Sequence, residues 1–387
     1  MRKRNSRQDL QRRLLTRREF LLLSAGAVAG AAVSACAGAP SPTPTVAPPA
    51  TTAPKATPVP AAAAPVAQPS GATPPSKPKA PLPKIAVGAV APPWSIQIVT
   101  LIPVAKGFFK EEGFPDVEYK VLSPATNVAA VISGEVDFVD GMGTEEVLRV
   151  RSKGEEMYIL GGRVNMNTMA FFGAKGMKSM QDLKGKTVGI SAPGSKTDIV
   201  TRAGLAHAKL DAGKDVLLVP SGSTQEAFGA LTTGRIQGAV FISSQIPVLQ
   251  AQGYPMLLHM SDVYKDYQSN VMVTMGKTIQ KNPDAVLAYV KAMVRTYQYM
   301  HDKKNWPEIK QILKDSKQQF EEQYFEATME VLLPAIPKDG SVNQKGVEYV
   351  ANMEKELGTV DKSLDVGKVY RLDFLEKAQK ELGITKS

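Results

Sequence analysis

The chain has 387 residues and a formal net charge of +10, which would by itself suggest a polyanionic partner. Residues 1–36 hold eight basic and two acidic side chains, residues 37–84 hold four basic and no acidic ones, and residues 85–387 hold 35 of each. Because the region beyond residue 84 is neutral, we exclude nucleic acid as a partner. That region has no cysteine and only three widely spaced histidines, so we predict no disulfide, no cysteine-ligated metal, no cofactor and no thiol catalysis there.

Residues 1–35 have the layout of an export signal. An arginine-rich start ends in TRREFLL at residues 16–22, and an apolar run rich in Gly and Ala extends from Phe20 to Ala35. This run is shorter than the ~20 residues that a membrane-spanning helix needs, although a permanent anchor is the alternative. The segment resembles twin-arginine signals. A second pair, Arg12-Arg13, and Leu22 in place of the usual lysine leave the export route open.

The apolar run is followed by Val33-Ser34-Ala35-Cys36, which resembles the lipobox of bacterial lipoproteins. The resemblance implies that Cys36 is lipidated and becomes the mature N-terminus, whereas a chance cysteine after a cleavage site is the alternative. Residues 36–84 are rich in Pro, Ala and Thr and lack aromatic side chains, so they cannot bury enough apolar surface to fold. We therefore predict a disordered linker that tethers the folded part to the outer face of the cytoplasmic membrane.

From residue 85 onward, short β-type runs alternate with helical patterns, which predicts an α/β fold with a largely parallel sheet. The predicted strands are Ile85–Val90, Val117–Leu122, Val136–Val139, Tyr158–Leu160, Thr187–Ile190, Val216–Val219, Gly238–Ile242 and Met256–Leu258. The predicted helices are Ile96–Glu112, Asn127–Ser133, Glu145–Ser152, Thr197–Leu210, Gln225–Thr232 and Gln245–Gln250. Beyond Asn282-Pro283, a cap and first-turn signal, the chain is predicted to be almost wholly helical.

Residues 130–137 and 230–237 repeat one plan: a helix end, Ser/Thr-Gly, one charged residue, and then the apolar start of a strand. Gly134 and Gly234 suit the left-handed position that ends a helix. The strand after the first copy ends in Gly141-Met142-Gly143-Thr144, and the strand after the second ends in Ser243-Ser244. Ligands bind outside the carboxyl ends of strands in open α/β sheets, so two such ends predict two lobes with a cleft between them.

Three further runs carry a family resemblance: AKGFFKEEG at residues 105–113, SGEVDF at 133–138 and DLKGKTVG at 182–189. In this order they resemble periplasmic binding proteins of the nitrate/taurine/alkanesulfonate type, whose relatives include binders of thiamine precursors. The resemblance implies a two-lobed periplasmic-binding-protein (type II) fold with a helical C-terminal part. It places residues 85–167 and 270–387 in lobe 1 and residues 168–269 in lobe 2, with crossings near 163–168 and 262–271. It also implies a monomer that binds a small molecule and delivers it to an ABC permease.

The loop between residues 188 and 197 joins a predicted strand to a predicted helix. Its residues Gly194, Ser195, Lys196 and Thr197 are candidate ligand contacts, because helix N-termini present free N–H groups. One residue too many separates Gly189 from Lys196 for a P-loop, so we reject nucleotide binding. A helix capped by Ser195 is the alternative. Lys196 would oppose the helix dipole, so it either neutralises a ligand anion or points to solvent.

The other candidate contacts follow predicted strands or flank a predicted crossing. Each has a structural alternative: an aromatic or Met side chain can fill a core, a hydroxyl can cap a helix, and asparagines are common in turns. These candidates are Trp94, Ser95, Met142, Gly143, Thr144, Asn167, Ser243 and Ser244, and Asn165 flanks the same crossing as Asn167.

Three classes of function remain open at this point. Solute capture by hinge closure is favoured, and we expect no catalytic residues. An enzyme on the same fold, of the pyrimidine or menaquinone-pathway type, would need clustered His, Cys or acidic groups. A sensory or adhesive lipoprotein would bind partners without ligand. The sequence does not rank a sulfonate, nitrate, a pyrimidine-like compound or a flavin as the ligand.

Overall fold

The computed structural model describes residues 82–90, 94–317 and 320–384, all of which lie in a compact unit spanning Pro74–Ser387. The predicted signal peptide, Cys36 and residues 37–81 of the predicted linker lie outside the described residues. Within the described ranges, no helix combines the length and apolar character needed to span a membrane.

The strands of the described residues form two five-stranded mixed sheets. The first sheet, in the order β2-β1-β3-β10-β4, consists of β1 (Ile85–Val90), β2 (Val117–Leu122), β3 (Phe138–Gly143), β4 (Met157–Val164) and β10 (Asn270–Met275). The second, in the order β7-β6-β8-β5-β9, consists of β5 (Ala170–Gly173), β6 (Thr187–Ile190), β7 (Leu217–Pro220), β8 (Gly238–Phe241) and β9 (Met256–His259). Each sheet contains one strand that is antiparallel to both neighbours: β10 in the first and β5 in the second.

Helices pack around the two sheets and dominate the C-terminal third of the chain. They are α1 (Trp94–Ala105), α2 (Phe108–Glu111), α3 (Pro124–Ser133), α4 (Thr144–Ser152), α5 (Lys196–His207), α6 (Thr224–Thr232), α7 (Ile246–Ala251), α8 (Gly276–Lys281), α9 (Pro283–His301), α10 (Trp306–Asp315), α11 (Phe325–Leu332), α12 (Gln344–Glu356) and α13 (Asp373–Glu381). Short 3₁₀ turns cover Met180–Leu183, Met260–Asp262, Lys303–Asn305, Glu322–Tyr324, Leu333–Ala335 and Val366–Val369.

The predicted α/β class and the helical C-terminal part are confirmed, whereas one helix and two strands differ from the prediction. The sequence predicted one helix over 96–112, but Gly107 adopts a left-handed φ of 72° and separates α1 from α2. The sequence also missed β5 and β10, the two antiparallel strands. The predicted glycine stops are confirmed, since φ is 86° at Gly134 and 77° at Gly234.

The core of the first lobe is built around α9. Asn282 caps this helix by accepting a hydrogen bond from the Ala285 N–H at 3.0 Å, and Pro283 occupies its first turn. The ring of Tyr289 stacks on Phe138 of β3, with centroids 4.1 Å apart, and on Phe109 of α2 at 6.0 Å. This aromatic stack fixes β3 against the helices, so the carboxyl end of β3 is held in place.

Two connections join the sheets, and they run side by side. The chain leaves β4 through residues 165–169 and returns from β9 through residues 260–269. The Ser269 N–H donates to the Val164 carbonyl at 2.9 Å, and the Met260 N–H donates to the Met169 carbonyl at 3.0 Å. We call the first sheet with its helices lobe 1 and the second sheet with its helices lobe 2. A paired two-segment connection of this kind allows two lobes to rotate as rigid bodies.

Candidate functional site

A cavity of ≈ 460 Å³ lies where the carboxyl ends of strands from both lobes face each other, and we call it the cleft cavity. Lobe 1 contributes Gly143 at the end of β3 and the first turn of α4. Lobe 2 contributes the loop before α5 and Ser243, which follows β8. The cavity volume is within the range of ~300–1,000 Å³ that is usual for small-molecule sites.

The loop that leads into α5 uses its own side chains to satisfy many of its N–H groups. Gly194 has a φ of 75°, and Ser195 caps the helix by accepting from the Asp198 N–H at 3.3 Å. The Ser191 N–H donates to Thr197 Oγ1 at 2.8 Å, and the Gly194 N–H donates to Asp198 Oδ2 at 2.8 Å. The capped-helix interpretation therefore explains this loop without a ligand. The buried Asp198 carboxylate is in turn paired with Arg202, whose Nε lies 2.7 Å from its Oδ1.

Lys196 reaches from lobe 2 to lobe 1. Its Nζ lies 3.2 Å from Glu145 Oε1 and 3.3 Å from the hydroxyl of Ser269, on the second connection. Glu145 Oε1 also accepts a hydrogen bond from the buried Tyr267 hydroxyl at 3.1 Å. The sequence-based alternatives for Lys196 were a ligand anion or solvent, and the structure instead gives it a carboxylate across the cleft. This pair offsets the unfavourable placement of a cation in the first turn of α5.

Glu146 follows Glu145 in the first turn of α4 and also lines the cleft cavity. Its Oε2 accepts a hydrogen bond from the Gly143 N–H at 3.1 Å. Burial, and secondly the charge of Glu145, raise the pKa of Glu146 above its ordinary value, although the Gly143 hydrogen bond, Lys196 and Arg149 act in the opposite direction. The cavity therefore holds two adjacent carboxylates.

Two arginines line the same cavity and are both bound to carboxylates. Arg149 makes a bidentate pair with the buried Glu354, through Nε at 2.6 Å and Nη2 at 2.7 Å. Arg163 Nε lies 3.2 Å from Asp140, and its Nη2 donates to the Ile96 carbonyl. Burial raises the pKa of Asp140, whereas Arg163 and the hydroxyl of Thr100 act in the opposite direction. The guanidinium groups therefore serve ion pairs within the protein.

The structure brings some of the predicted contact residues to the cleft cavity and leaves the others outside it. The residues in its lining are Ser95, Gly143, Gly194, Ser195, Lys196, Thr197 and Ser243. The predicted contacts that are absent from its lining are Trp94, Met142, Thr144, Asn167 and Ser244.

Each of the five residues outside the lining has a structural role or a different location. Trp94 is buried and stacks on Phe325, 5.6 Å between centroids, because α11 covers this side of lobe 1. Met142 and Thr144 are fully buried, and Asn167 is buried and accepts a hydrogen bond from the Met169 N–H at 3.0 Å. Ser244 borders a separate groove that also contains Trp94. Burial in the core describes Trp94, Met142 and Thr144, and the turn alternative describes Asn167.

The sequence analysis missed the four charged side chains of lobe 1 that line the cavity: Glu145, Glu146, Arg149 and Arg163. The sequence did contain a signal for Glu145 and Glu146. They directly follow the strand end Gly141-Met142-Gly143-Thr144, which had itself been selected. Two acidic residues at a helix start look like ordinary helix-dipole partners, and only the cavity distinguishes them.

A family model described as "NMT1/THI5 like" matches residues 98–305, more than half of the chain. A search of curated proteins finds no match. The periplasmic nitrate-binding protein NrtA from Synechocystis is 18% identical, with a TM-score of 0.59, over 77% of this chain and 89% of that one. The aliphatic sulphonate binding protein SsuA from Escherichia coli is 13% identical, with a TM-score of 0.61, over 76% and 99%. A protein from Bordetella bronchiseptica is 21% identical, with a TM-score of 0.61, over 78% and 98%. These likenesses establish the periplasmic-binding-protein fold.

Proposed function

The chain belongs to the NMT1/THI5-like family, and from that membership we propose that it is the lipid-anchored, extracytoplasmic substrate-binding protein of an ABC importer. It acts as a monomer that captures a small solute in the cleft cavity and presents it to a membrane permease. The observation that carries the proposal is a cavity lined by both lobes across a paired connection. A ligand held there contacts both lobes and therefore favours the closed arrangement.

The ion pair between Lys196 and Glu145 supports capture by closure. Its two partners come from different lobes, and Ser269 on the second connection completes the contact. Separating the lobes would break this contact, so it helps to hold them together around a solute. A closed form with its own interlobe contact is a surface that a permease can recognise.

The composition of the cavity favours binding over catalysis. Among the described residues, its lining contains no histidine and no cysteine, so it lacks the usual nucleophile and general-base pairs. Its arginines and Lys196 are engaged by carboxylates. An enzyme on this fold is the alternative, and it would have to draw on the carboxylates of Glu145 and Glu146 and on the hydroxyl groups and Lys196 of the lining.

Release of a bound solute tests the proposed function. Protein purified from its native envelope without unfolding should release about one small molecule per chain on denaturation, because a ligand that binds the native state dissociates when that state is lost. Mass spectrometry gives its identity. Readdition should raise the melting temperature and leave the compound chemically unchanged. Conversion to a product would instead support the enzyme, and a chain that carries and binds no solute would contradict capture.

The anchor is tested at Cys36. Cys36→Ser should be exported but soluble, or should remain unprocessed, because the thiol is the acylation site and a single residue decides whether lipid is attached. Detergent phase partition and mass measurement of the mature N-terminus provide the readout. Ala37→Ser, a matched change one residue later, should stay in the membrane. Wild-type protein recovered in the soluble fraction with a free Cys36 thiol would contradict the lipid anchor.

A further inference from the structure

On the basis of the proposed function, we propose that the cleft cavity selects a small organic cation, an amidinium, guanidinium or ammonium group on an apolar body, with the carboxylates of Glu146 and Glu145 as its recognition groups. Two of the solved neighbours are named for binding nitrate and sulphonate, so this assignment distinguishes the chain from proteins with which it shares a fold.

The cations of the cavity are already neutralised by the protein. Within residues 82–90, 94–317 and 320–384, each Lys or Arg in the lining has a carboxylate close by. The three pairs are Lys196–Glu145 at 3.2 Å, Arg149–Glu354 at 2.6 Å and Arg163–Asp140 at 3.2 Å. Glu354 and Asp140 have no exposed side-chain surface, so their arginines cannot turn to a ligand without leaving a buried charge unpaired. A bound anion would therefore find neither arginine available, and it would have to compete with Glu145 for Lys196.

Unlike the basic side chains of the cavity, the Glu146 carboxylate has no ion-pair partner among the described residues. In the part of the chain that the structure describes, no Lys or Arg nitrogen lies within the 4.0 Å ion-pair distance of its carboxylate. The charged groups around it are Glu145, Arg149 and Lys196, and the latter two are closer partners of other carboxylates. Burial is the first cause of the raised pKa of Glu146, and the negative charge of Glu145 is the second. A ligand cation would supply the missing charge.

Two further acceptors in the lining lack a partner. The second carboxylate oxygen of Glu145, Oε2, and the hydroxyl of Ser95 are buried without a hydrogen-bond partner among the described residues, and the two residues are 8% and 1% exposed. Buried polar atoms in native proteins are nearly always satisfied. Donor groups on a ligand would satisfy both, and amidinium or guanidinium groups carry several N–H donors and no acceptor.

The remaining surface of the cavity is largely aliphatic. Ile96 and Val99 of α1, Ile199 of α5, Ile242 and Met169 lie in its lining, together with Leu332 of α11. Such walls accommodate an apolar body and offer no hydrogen bonds. A compact organic cation therefore fits the cavity better than a small inorganic ion does.

Helix capping is the alternative explanation for Glu146, because its Oε2 already binds the Gly143 N–H at the start of α4. Glutamine caps helices in the same position, so Glu146→Gln keeps the cap and removes only the charge. This variant should be as stable as the wild type or more stable at pH 7.5. A carboxyl whose pKa is raised by folding contributes stability at low pH that is lost as the pH rises through that pKa, and the amide has no such loss.

The test uses three isosteric probes, benzamidine, benzamide and benzoate, which differ in charge but scarcely in shape. Calorimetric titration of the wild-type chain at pH 7.5 should rank them in that order, with roughly tenfold to hundredfold between benzamidine and benzoate. Glu146→Gln should remove most of this preference. Glu155→Gln, which removes an exposed carboxylate outside the cavity, should leave it unchanged. Benzamidine binding should also weaken as the pH falls through the raised pKa of Glu146, since benzamidine stays protonated while the carboxylate does not.

Equal or tighter binding of benzoate, no detectable binding of benzamidine, or a preference that survives Glu146→Gln would overturn the cation assignment. The proposed function is judged separately by the molecule that the native protein releases. If that molecule is an anion, solute capture stands and the cation assignment falls. If no solute is released or bound, the proposed function itself fails.

Discussion

Replacement of Arg163 with methionine is expected to lower the free energy of unfolding by about 3–5 kcal/mol. The guanidinium is 3% exposed and lies 3.2 Å from Asp140, whose side chain has no exposed surface. Without Arg163, the Thr100 hydroxyl, at 2.8 Å, is the only partner that the described residues leave to the Asp140 carboxylate. An unpaired buried charge is among the costliest defects a core can contain. Urea unfolding without ligand gives the measurement.

The control is the double variant Arg163→Met with Asp140→Leu, which replaces both charges by apolar groups. It should be more stable than Arg163→Met alone, because no charge then remains buried. The loss in free energy of unfolding caused by Arg163→Met should also become smaller at lower pH. Loss of Arg163 raises the pKa of Asp140 further, and a carboxyl with a raised folded pKa regains stability as the pH falls. A pH-independent deficit, or a double variant no more stable than the single one, would show that the pair is not responsible.

Strand bounds were predicted best where strands and helices alternate along the chain. Strands β1, β2 and β6 have the predicted bounds, because each is a run of β-type residues between a turn and a helix start. The two missed strands, β5 and β10, are those that follow the connections between sheets. Each pairs antiparallel with neighbours from distant parts of the chain, and β5 has only four residues. No local period of hydrophobicity distinguishes such a buried strand from a connection.

The candidate site was predictable where it depends on strand ends and unpredictable where it depends on contacts across the fold. The rule for carboxyl ends located Gly143, Ser243 and the loop before α5, and these lie in the cavity lining. Trp94 follows the same rule in sequence, yet it stacks on Phe325, a residue 231 positions later. Lys196 meets Glu145 only because the two lobes face each other. Sequence spacing carries no information on either pairing.

Gly141 is the second position at which a small change should have a large effect. Its φ is 89°, a conformation that only glycine adopts without strain, and a Cβ atom there would collide with the guanidinium of Arg163. The far end of an arginine could usually move aside. Here it is buried and bound to Asp140 and to the Ile96 carbonyl. Any movement would therefore disturb the buried ion pair beneath the cavity.

We expect Gly141→Ala to lower the free energy of unfolding by about 2–5 kcal/mol, the sum of a backbone cost of about 1–2 kcal/mol and an overpacking cost of about 1–3 kcal/mol. Gly176→Ala is the matched control, because its φ of 91° is nearly the same and no atom lies within 4 Å of the added Cβ. It should show the backbone cost alone. In the Arg163→Met background, Gly141→Ala should destabilise the protein by little more than Gly176→Ala does, since the shorter side chain leaves room for the methyl group. If both variants lost the same free energy of unfolding, Arg163 would have to move aside at little cost. The ion pair beneath the cavity would then be less rigid than its burial implies.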